Sequence, residues 1–460
     1  MSQLIETRPG EDDRGAASDA KSKHVEVHHV TRVEGHGSVV LDVDNGTVSR
    51  IAWQVPEAPR FFEAMVVGKD WQDIQTIVSR ICGICSISHS LACIKGVEAA
   101  LGLEVSEQTD RLRRLAHMSE LMQSHVLHIG YLVAPDLLGQ PSVVPVAKSH
   151  PELVGLVVSL HRLANRWSDL VTGRTTHPIA LQPGRMTHLP SAADLIALQH
   201  DLETARKSYW RLVEAVGGLL GGLPDFERPT EYVGLVDGFG YAFYDGRIGS
   251  SDAQVPLPLD HFEQACNEYV AQDSTAKWTR WHRDAYAVGA RARYNLNGQH
   301  LSPLGRQVAQ AAGLEAHKHN PYYNTVAQLA ELGHIMDRGP ELIDEILAAG
   351  LSPERPKLEP HAGEGVGAVE APRGILFHRY AFDAKGRCEK ANLVIPTNQN
   401  HANIQKDMEA LAPTIIDRPE SEITLLLEML VRAYDPCVSC STHFLDVHFV
   451  GAKAPSEERD

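Results

Sequence analysis

The chain has 460 residues, 43% hydrophobic and 22% charged, a globular composition that excludes both a disordered protein and a disulfide-stapled miniature. Its 43 basic and 59 acidic residues leave a net charge of −16, which argues against a nucleic-acid backbone or an anionic membrane surface as partner. No apolar run approaches the roughly 20 residues of a membrane span, and the first residues lack the apolar stretch of a signal peptide, so a cytoplasmic protein is expected.

Residues 1–23 are polar and lack apolar periodicity, which predicts a mobile tail. Alternation in Val25–Val33 and Ser38–Val43, the Asp44-Asn45-Gly46 turn, and the run from Thr47 to Val55 predict a small antiparallel sheet. Ile74, Ile77, Val78 and Ile81 fall at helical spacing and lead into Cys82. Long helices are expected over Asp110–Val133, Glu152–Val171 and Ala192–Leu220, which together suggest a bundle. Residues 224–258 read as short β-like runs, Asp260–Ala290 and Thr325–Ala349 as helices, and the Pro/Gly/Glu-rich Leu351–Gly367 as a loop. Gly374–Tyr380 and Asn392–Pro396 read as strands, and Pro419 opens an apolar helix that runs into Asp435-Pro436-Cys437. No internal repeat, GxGxxG fingerprint or phosphate loop is present.

Seven cysteines are too few for a disulfide framework, yet four form two C-x-x-C pairs near opposite ends of the chain, Cys82/Cys85 and Cys437/Cys440. Each pair has a histidine just downstream, His89 and His443. Four thiolates suit tetrahedral zinc, an iron–sulfur cluster or a soft transition metal such as nickel, and spacing alone does not choose among them.

The flanking residues are more specific. Arg80-Ile-Cys82-Gly-Ile-Cys85-Ser-Ile-Ser-His89 and Asp435-Pro-Cys437-Val-Ser-Cys440-Ser-Thr-His443 together resemble the paired nickel-binding motifs of the large, catalytic subunit of nickel-iron hydrogenases. Arg32-Val-Glu34-Gly-His36, Arg60-Phe-Phe-Glu63, Ser124 to His128, Gly173 to Pro178, Glu370 to Gly374 and Val394 to Thr397 extend the likeness over residues 24–443. The resemblance implies an α+β large-subunit fold with a central helical bundle and small peripheral sheets, residues 24–443 forming one catalytic domain. Its spelling is closest to the cytoplasmic, multi-subunit classes.

The resemblance also implies roles. Cys82 and Cys437 would be terminal nickel ligands, and Cys85 and Cys440 would bridge nickel to an iron carrying carbon monoxide and cyanide. Thiolates are soft donors that suit nickel, and their accumulated negative charge calls for a cation. Pro372 and Arg373 match the segment that overhangs the metals, and a fixed, forked guanidinium suits that task. Glu34 matches the proton-transfer glutamate, because heterolytic splitting of dihydrogen releases a proton that needs an acceptor. Asp136 matches an aspartate that would orient Arg373. Thr397 would hydrogen-bond a cyanide, and His89 would support the bridging Cys85. Glu63, the Leu393 carbonyl and His443 match a site for magnesium or another divalent ion. Asn398-Gln399-Asn400 and Pro183-Gly184-Arg185 depart from the family's pattern, which bears on peripheral packing.

Cys93, Cys266 and Cys388 make no evident second cluster motif, so electrons are expected to leave through an iron–sulfur small subunit. Further electron-transfer subunits linked to a nicotinamide, a deazaflavin or a disulfide reductase are implied. Residues 444–460 match an extension that a maturation endopeptidase removes after the histidine. Two enzyme readings follow, a hydrogenase and a hydrogen-sensing relative of low turnover. The related respiratory complex I subunit lacks the paired nickel motifs, and a zinc-stabilised structural subunit is the non-enzyme alternative.

Overall fold

The computed structural model describes residues 22–357 and 359–442. His443, the extension 444–460 and all of the expected tail except Ser22 and Lys23 lie outside them. The first strands match the alternation: Lys23–Val27, Ser38–Asp44 and Thr47–Gln54 form an antiparallel sheet in sequence order, turning at Asn45-Gly46, both at positive φ. Each strand turns valine, leucine or tryptophan inward (Val25, Val27, Leu41, Trp53).

Four long helices make the central bundle: Glu107–Leu127, Pro151–Thr172, Ala192–Gly217 and Asn324–Ala349. The first starts three residues before its apolar pattern because the Ser106 hydroxyl accepts from the Thr109 amide, and Ser191 caps the third in the same way. A π-helical segment, His128–Val133, continues the first helix. Its packing is close: Gly130 sits against Val157 where no side chain would fit, and Gly339 admits the fully buried Trp167.

One expected helix is replaced and one helix was not expected. Residues 260–290 are not one helix but a short helix, Phe262–Ala265, a hairpin of Asn267–Val270 with Lys277–Arg280, and the strand Tyr286–Ala287. Cross-strand pairing of Tyr269 with Trp278 supplies the apolar contact of this hairpin. Residues 396–415, which carry no apolar signal at their start, form a helix, Pro396–Ile415. Asn398, Gln399, Asn400, His401 and Asn403 in its first two turns are all buried. Each is hydrogen-bonded: Asn398 donates to the carbonyls of Lys277 and Ser441, Gln399 donates to that of Ile375, and Asn400 accepts from the Val288 amide.

The element that fixes the architecture around the first cysteine pair is the contact of the Ser86–Ala100 helix with the strand Gly363–Ala371, the edge of a three-stranded antiparallel sheet completed by Gly374–Phe382 and Cys388–Val394. Gly363, Gly365 and Gly367 share one face of the strand. A Cβ at Gly363 would stand 2.0 Å from the Ala100 carbonyl oxygen, at Gly365 2.2 Å from the Ala100 nitrogen, and at Gly367 2.1 Å from the Ala92 oxygen. Helix and strand thus meet backbone to backbone, and the segment read as a loop because of its glycines is a strand from Gly363 onward.

Two expected outcomes follow. Gly367→Ala should force this contact apart and cost about 1–3 kcal/mol or more by overpacking; an unchanged melting temperature would show that the approach is not constrained. His401 accepts from the Trp53 indole through Nδ1 and so donates through Nε2 to the Ser441 hydroxyl, and burial lowers its pKa from 6.5 to about 3. The folded chain therefore binds fewer protons than the unfolded one between those values, and stability present above pH 6.5 drains away as the pH falls toward 3. His401→Gln should flatten this acid loss by one proton's share, read from urea midpoints between pH 7 and 4; an unaltered slope would remove His401 from the account.

Candidate metal centre

The two ends of the chain meet here. Cys82, Cys85, Cys437 and Cys440 are all buried, and their sulfurs all lie within 4.8 Å of one another. Cys82 Sγ is 3.6 Å from Cys437 Sγ. Cys437 and Cys440 are paired as a disulfide, so metal ligation requires the pair reduced to thiolates.

Cys82 and Cys85 flank the turn between the helices Ile74–Val78 and Ser86–Ala100, with Cys85 at the N-cap of the second. The cysteine pair therefore opens a helix that carries His89 one turn on. The amides of Ile84 and Cys85 donate to Cys82 Sγ. Burial opposes ionisation of Cys82, yet its hydrogen bonds with Cys85 and the charge of Arg373 bring its pKa below the ordinary thiol value; Cys85, bonded to Cys82 and equally buried, is pushed well above it. Glu120, which sequence reasoning missed, holds the first turn of this helix. Its carboxylate accepts from the amides of Ile87 and Ser88 and from the Ser88 hydroxyl, and burial raises its pKa to about 8.

Glu34 lies on the opposite arm. It pairs with Cys437 in an isolated parallel bridge, its carbonyl accepts from the Val438 amide, and its Oε2 is 3.1 Å from Cys437 Sγ and accepts from the Ser439 amide. Glu57 is a second carboxylate nearby that carried no motif signal; it accepts from the Ser439 hydroxyl at 2.7 Å and from the His36 amide. The Thr397 hydroxyl oxygen, in the first turn of the Pro396–Ile415 helix, accepts from the Cys437 amide at 3.0 Å and keeps its own proton to donate.

Arg373 occupies the two-residue turn between Ala371 and Gly374. The residue is 4% exposed; Nε and one terminal nitrogen of its guanidinium donate to Asp435, while Nη1 is buried with no partner among the described residues. The charges of Cys85, Cys82 and Glu34 act on it. Asp435 is thus the aspartate that orients Arg373. Asp136, expected in that role, instead pairs with Arg32 and Arg432, to the latter through Nε at 2.7 Å and Nη2 at 2.9 Å. The reason is position: Asp136 lies in the short helix Ala134–Leu137 that follows the π-helical segment, where it meets Arg32, two residues before Glu34, and Arg432, three before Asp435. Asp435 could have been found, since it opens the second cysteine motif.

The remaining expected residues fall into two groups. The ring of His89 contacts His378 (Nδ1 to Nε2, 3.1 Å), which in turn meets the Tyr380 hydroxyl. Glu63 is buried and accepts from the Leu393 amide at 2.7 Å, so these two stand together, with their expected companion His443 outside the described residues. Pro372 presents its carbonyl to Arg293. Asn398, placed by its departure from the motif pattern at the periphery, is bonded to the carbonyl of Ser441, next to Cys440. The departure is thus central to the site, because an asparagine can tie the cysteine arm to the Pro396–Ile415 helix.

The residues fit a nickel-iron group. Four buried soft donors converge, a buried guanidinium nitrogen beside them has no partner among the described residues, and a hydroxyl proton is available at Thr397. No described helix is long and apolar enough to cross a membrane.

Comparison with known proteins agrees. A family profile described as nickel-dependent hydrogenase matches residues 60–204 and 263–443, and one described as HoxL-like matches residues 24–58. Sulfhydrogenase 2 subunit alpha of Pyrococcus furiosus is 31% identical over 92% of this chain and 99% of that protein. The NAD-reducing hydrogenase HoxS subunit beta of Cupriavidus necator is 29% identical over 92% of this chain and 95% of that one. A crystal structure of an NAD+-reducing NiFe-hydrogenase in the H2-reduced state superposes with a TM-score of 0.83 at 25% identity, covering 92% of this chain and all of that one. With its four cysteine sulfurs gathered beside a buried arginine and its large-subunit fold, the chain belongs to the nickel-dependent hydrogenase family as a catalytic large subunit.

Proposed function

We propose that this hydrogenase splits dihydrogen heterolytically and reversibly at a nickel-iron centre held by Cys82, Cys85, Cys437 and Cys440, and that an iron–sulfur small subunit takes the electrons. The observation that carries the reading is the carboxylate of Glu34 at 3.1 Å from Cys437 Sγ, beside the four gathered sulfurs. Cys82 and Cys437 would hold nickel alone, with Cys85 and Cys440 bridging to an iron that carries carbon monoxide and cyanide. The bound centre supplies the polarisation of dihydrogen and the redox change.

The chain's own groups do the rest. Glu34 accepts the proton at Oε2 from the Cys437 side, where a carboxylate within hydrogen-bond reach is the geometry that general-base transfer needs. Arg373, fixed by Asp435, sets a permanent positive charge over the thiolates, and Nη1 remains to bond whatever stands above them. The Thr397 oxygen holds the Cys437 amide, and its hydroxyl proton would bond a cyanide of the bound group. His89 and His378 form a buried pair that supports the turn of Cys85. Glu63 and the carbonyl of Leu393, with His443, provide hard ligands for magnesium or a similar ion. The protein works in the cytoplasm, in a complex with further electron-transfer subunits, and a maturation endopeptidase removes residues 444–460.

The test is the infrared spectrum of the protein purified without oxygen, co-produced with its small subunit and maturation proteins. Stretching bands of metal-bound carbon monoxide and cyanide are expected; zinc in the thiolate site without them would favour a structural subunit, and the bands with very slow turnover would favour a hydrogen sensor. Cys437→Ser should abolish nickel retention. Glu34→Gln should keep both metals and the bands but slow hydrogen–deuterium exchange about 100-fold or more; unchanged exchange would take Glu34 out of the proton path.

A further inference from the structure

Arg293 lies on the short helix Ala290–Asn297, is wholly buried, and is not one of the residues that the cysteine motifs single out. All five of its N–H groups are used. Nε and Nη2 donate to the two oxygens of Glu331 at 2.6 and 2.8 Å. Nη1 donates to Glu370 Oε2 and to the Ala371 carbonyl, both at 3.0 Å, and Nη2 also donates to the Pro372 carbonyl at 3.1 Å. Three successive residues, Glu370, Ala371 and Pro372, are therefore held by one guanidinium, and the next residue is Arg373.

The partners of Arg293 are themselves fixed. Glu331 accepts from the Tyr241 hydroxyl and pairs with His125 Nε2, both at 2.7 Å, and Glu370 Oε1 accepts from the Leu235 amide at 2.6 Å. The start of the Arg293 helix also abuts the same turn: Gly289 has φ +104°, and a Cβ there would lie 3.1 Å from the Arg373 carbonyl oxygen. A planar five-donor fork satisfies this set, whereas a lysine ammonium offers three donors from one point.

We infer that Arg293 is the positioning residue for Arg373: it sets the height and angle of the Pro372–Arg373 turn, and through it the guanidinium that faces the thiolates. The inference rests on the role given to Arg373 above. Asp435 fixes the guanidinium end of Arg373, and Arg293 fixes its backbone, so the side chain is held from both ends. Reactive geometry is sensitive to such placement, with displacements of about 1 Å worth up to roughly 100-fold in rate.

The test is a double-mutant cycle on the holoenzyme with its small subunit, comparing Arg293→Lys, Arg373→Lys and the double variant, with nickel and iron content, infrared bands and turnover as readouts. Glu370→Gln is the second variant. Its amide must face either the Leu235 amide or Arg293, so one hydrogen bond is lost while the charge of Arg293 stays paired with Glu331. The expected result is normal metal content, shifted cyanide bands and turnover lowered about 10-fold or more in Arg293→Lys, a smaller change of the same sign in Glu370→Gln, and less than about 2-fold further loss when Arg293→Lys is added to Arg373→Lys. Unshifted bands in metal-loaded Arg293→Lys, or the same loss with and without Arg373, would overturn the inference. Loss of metal from Arg293→Lys and Glu370→Gln while Arg373→Lys loads normally would overturn it as well, because the role would then be structural. If Arg373→Lys itself leaves bands and turnover unchanged, the reading of Arg373 fails, and the inference with it.

Discussion

The backbone contact between the Ser86–Ala100 helix and the glycine face of the Gly363–Ala371 strand is the constraint on which the rest depends. Few packings set two elements so firmly, because neither has side chains between them that could adjust. One end of this contact carries Cys85, and the hairpin that leaves the strand carries Arg373. The first cysteine pair and the backbone of the Arg373 turn are thus placed by main chain, and side chains such as Asp435 then fix the guanidinium. What remains adjustable is the far arm, residues 434–442, and that arm is tied by Thr397, Asn398 and His401 from the Pro396–Ile415 helix and by Glu34 from the N-terminal segment.

The charges around the site follow an economy that burial imposes. An unpaired charge in this interior would cost several kcal/mol, and four buried arginines accordingly have carboxylate counterparts: Arg113 with Glu98, Arg293 with Glu331 and Glu370, Arg432 with Asp136, Arg373 with Asp435. The pattern also separates carboxylates by environment. Glu331, between a guanidinium and an imidazole, is held ionised with its pKa lowered to about 2, whereas burial raises Glu370 to about 7 and Glu120 to about 8. Arg373 keeps one terminal nitrogen, Nη1, pointing where no described protein atom accepts it.

Much of this was legible in the residues, and the failures have a common cause. Bundle helices with a one-sided apolar stripe, such as Pro151–Thr172, announce themselves by period, and the four cysteines announce themselves by spacing. The Pro396–Ile415 helix was hidden because its buried face is made of Asn, Gln and His rather than Leu or Val. The Gly363–Ala371 strand was hidden because the glycines that make its packing possible are the residues that otherwise mark loops. Asp136 was assigned to the wrong arginine since sequence gives no distance between residues more than two hundred positions apart. Glu120, Glu57 and Arg293 lack a motif altogether; they are ordinary polar residues until the fold puts them against a helix end, a serine and a turn.

The bridge of Glu34 with Cys437 has a consequence for how such a site comes into being. It joins segments 403 residues apart, and Cys82 faces Cys437 across 355. Closing such long loops comes late in folding, since the entropy must be spent before the contact returns anything. During synthesis the first two thiols, the glycine strand and the arginine turn emerge and can pack well before Cys437 leaves the ribosome. The growing chain therefore passes through a period as an open two-thiol cup, roofed by Arg373 and lacking one wall. The arm of residues 434–442 is the missing wall, and the site is complete only once that arm has docked on Glu34 and Cys82.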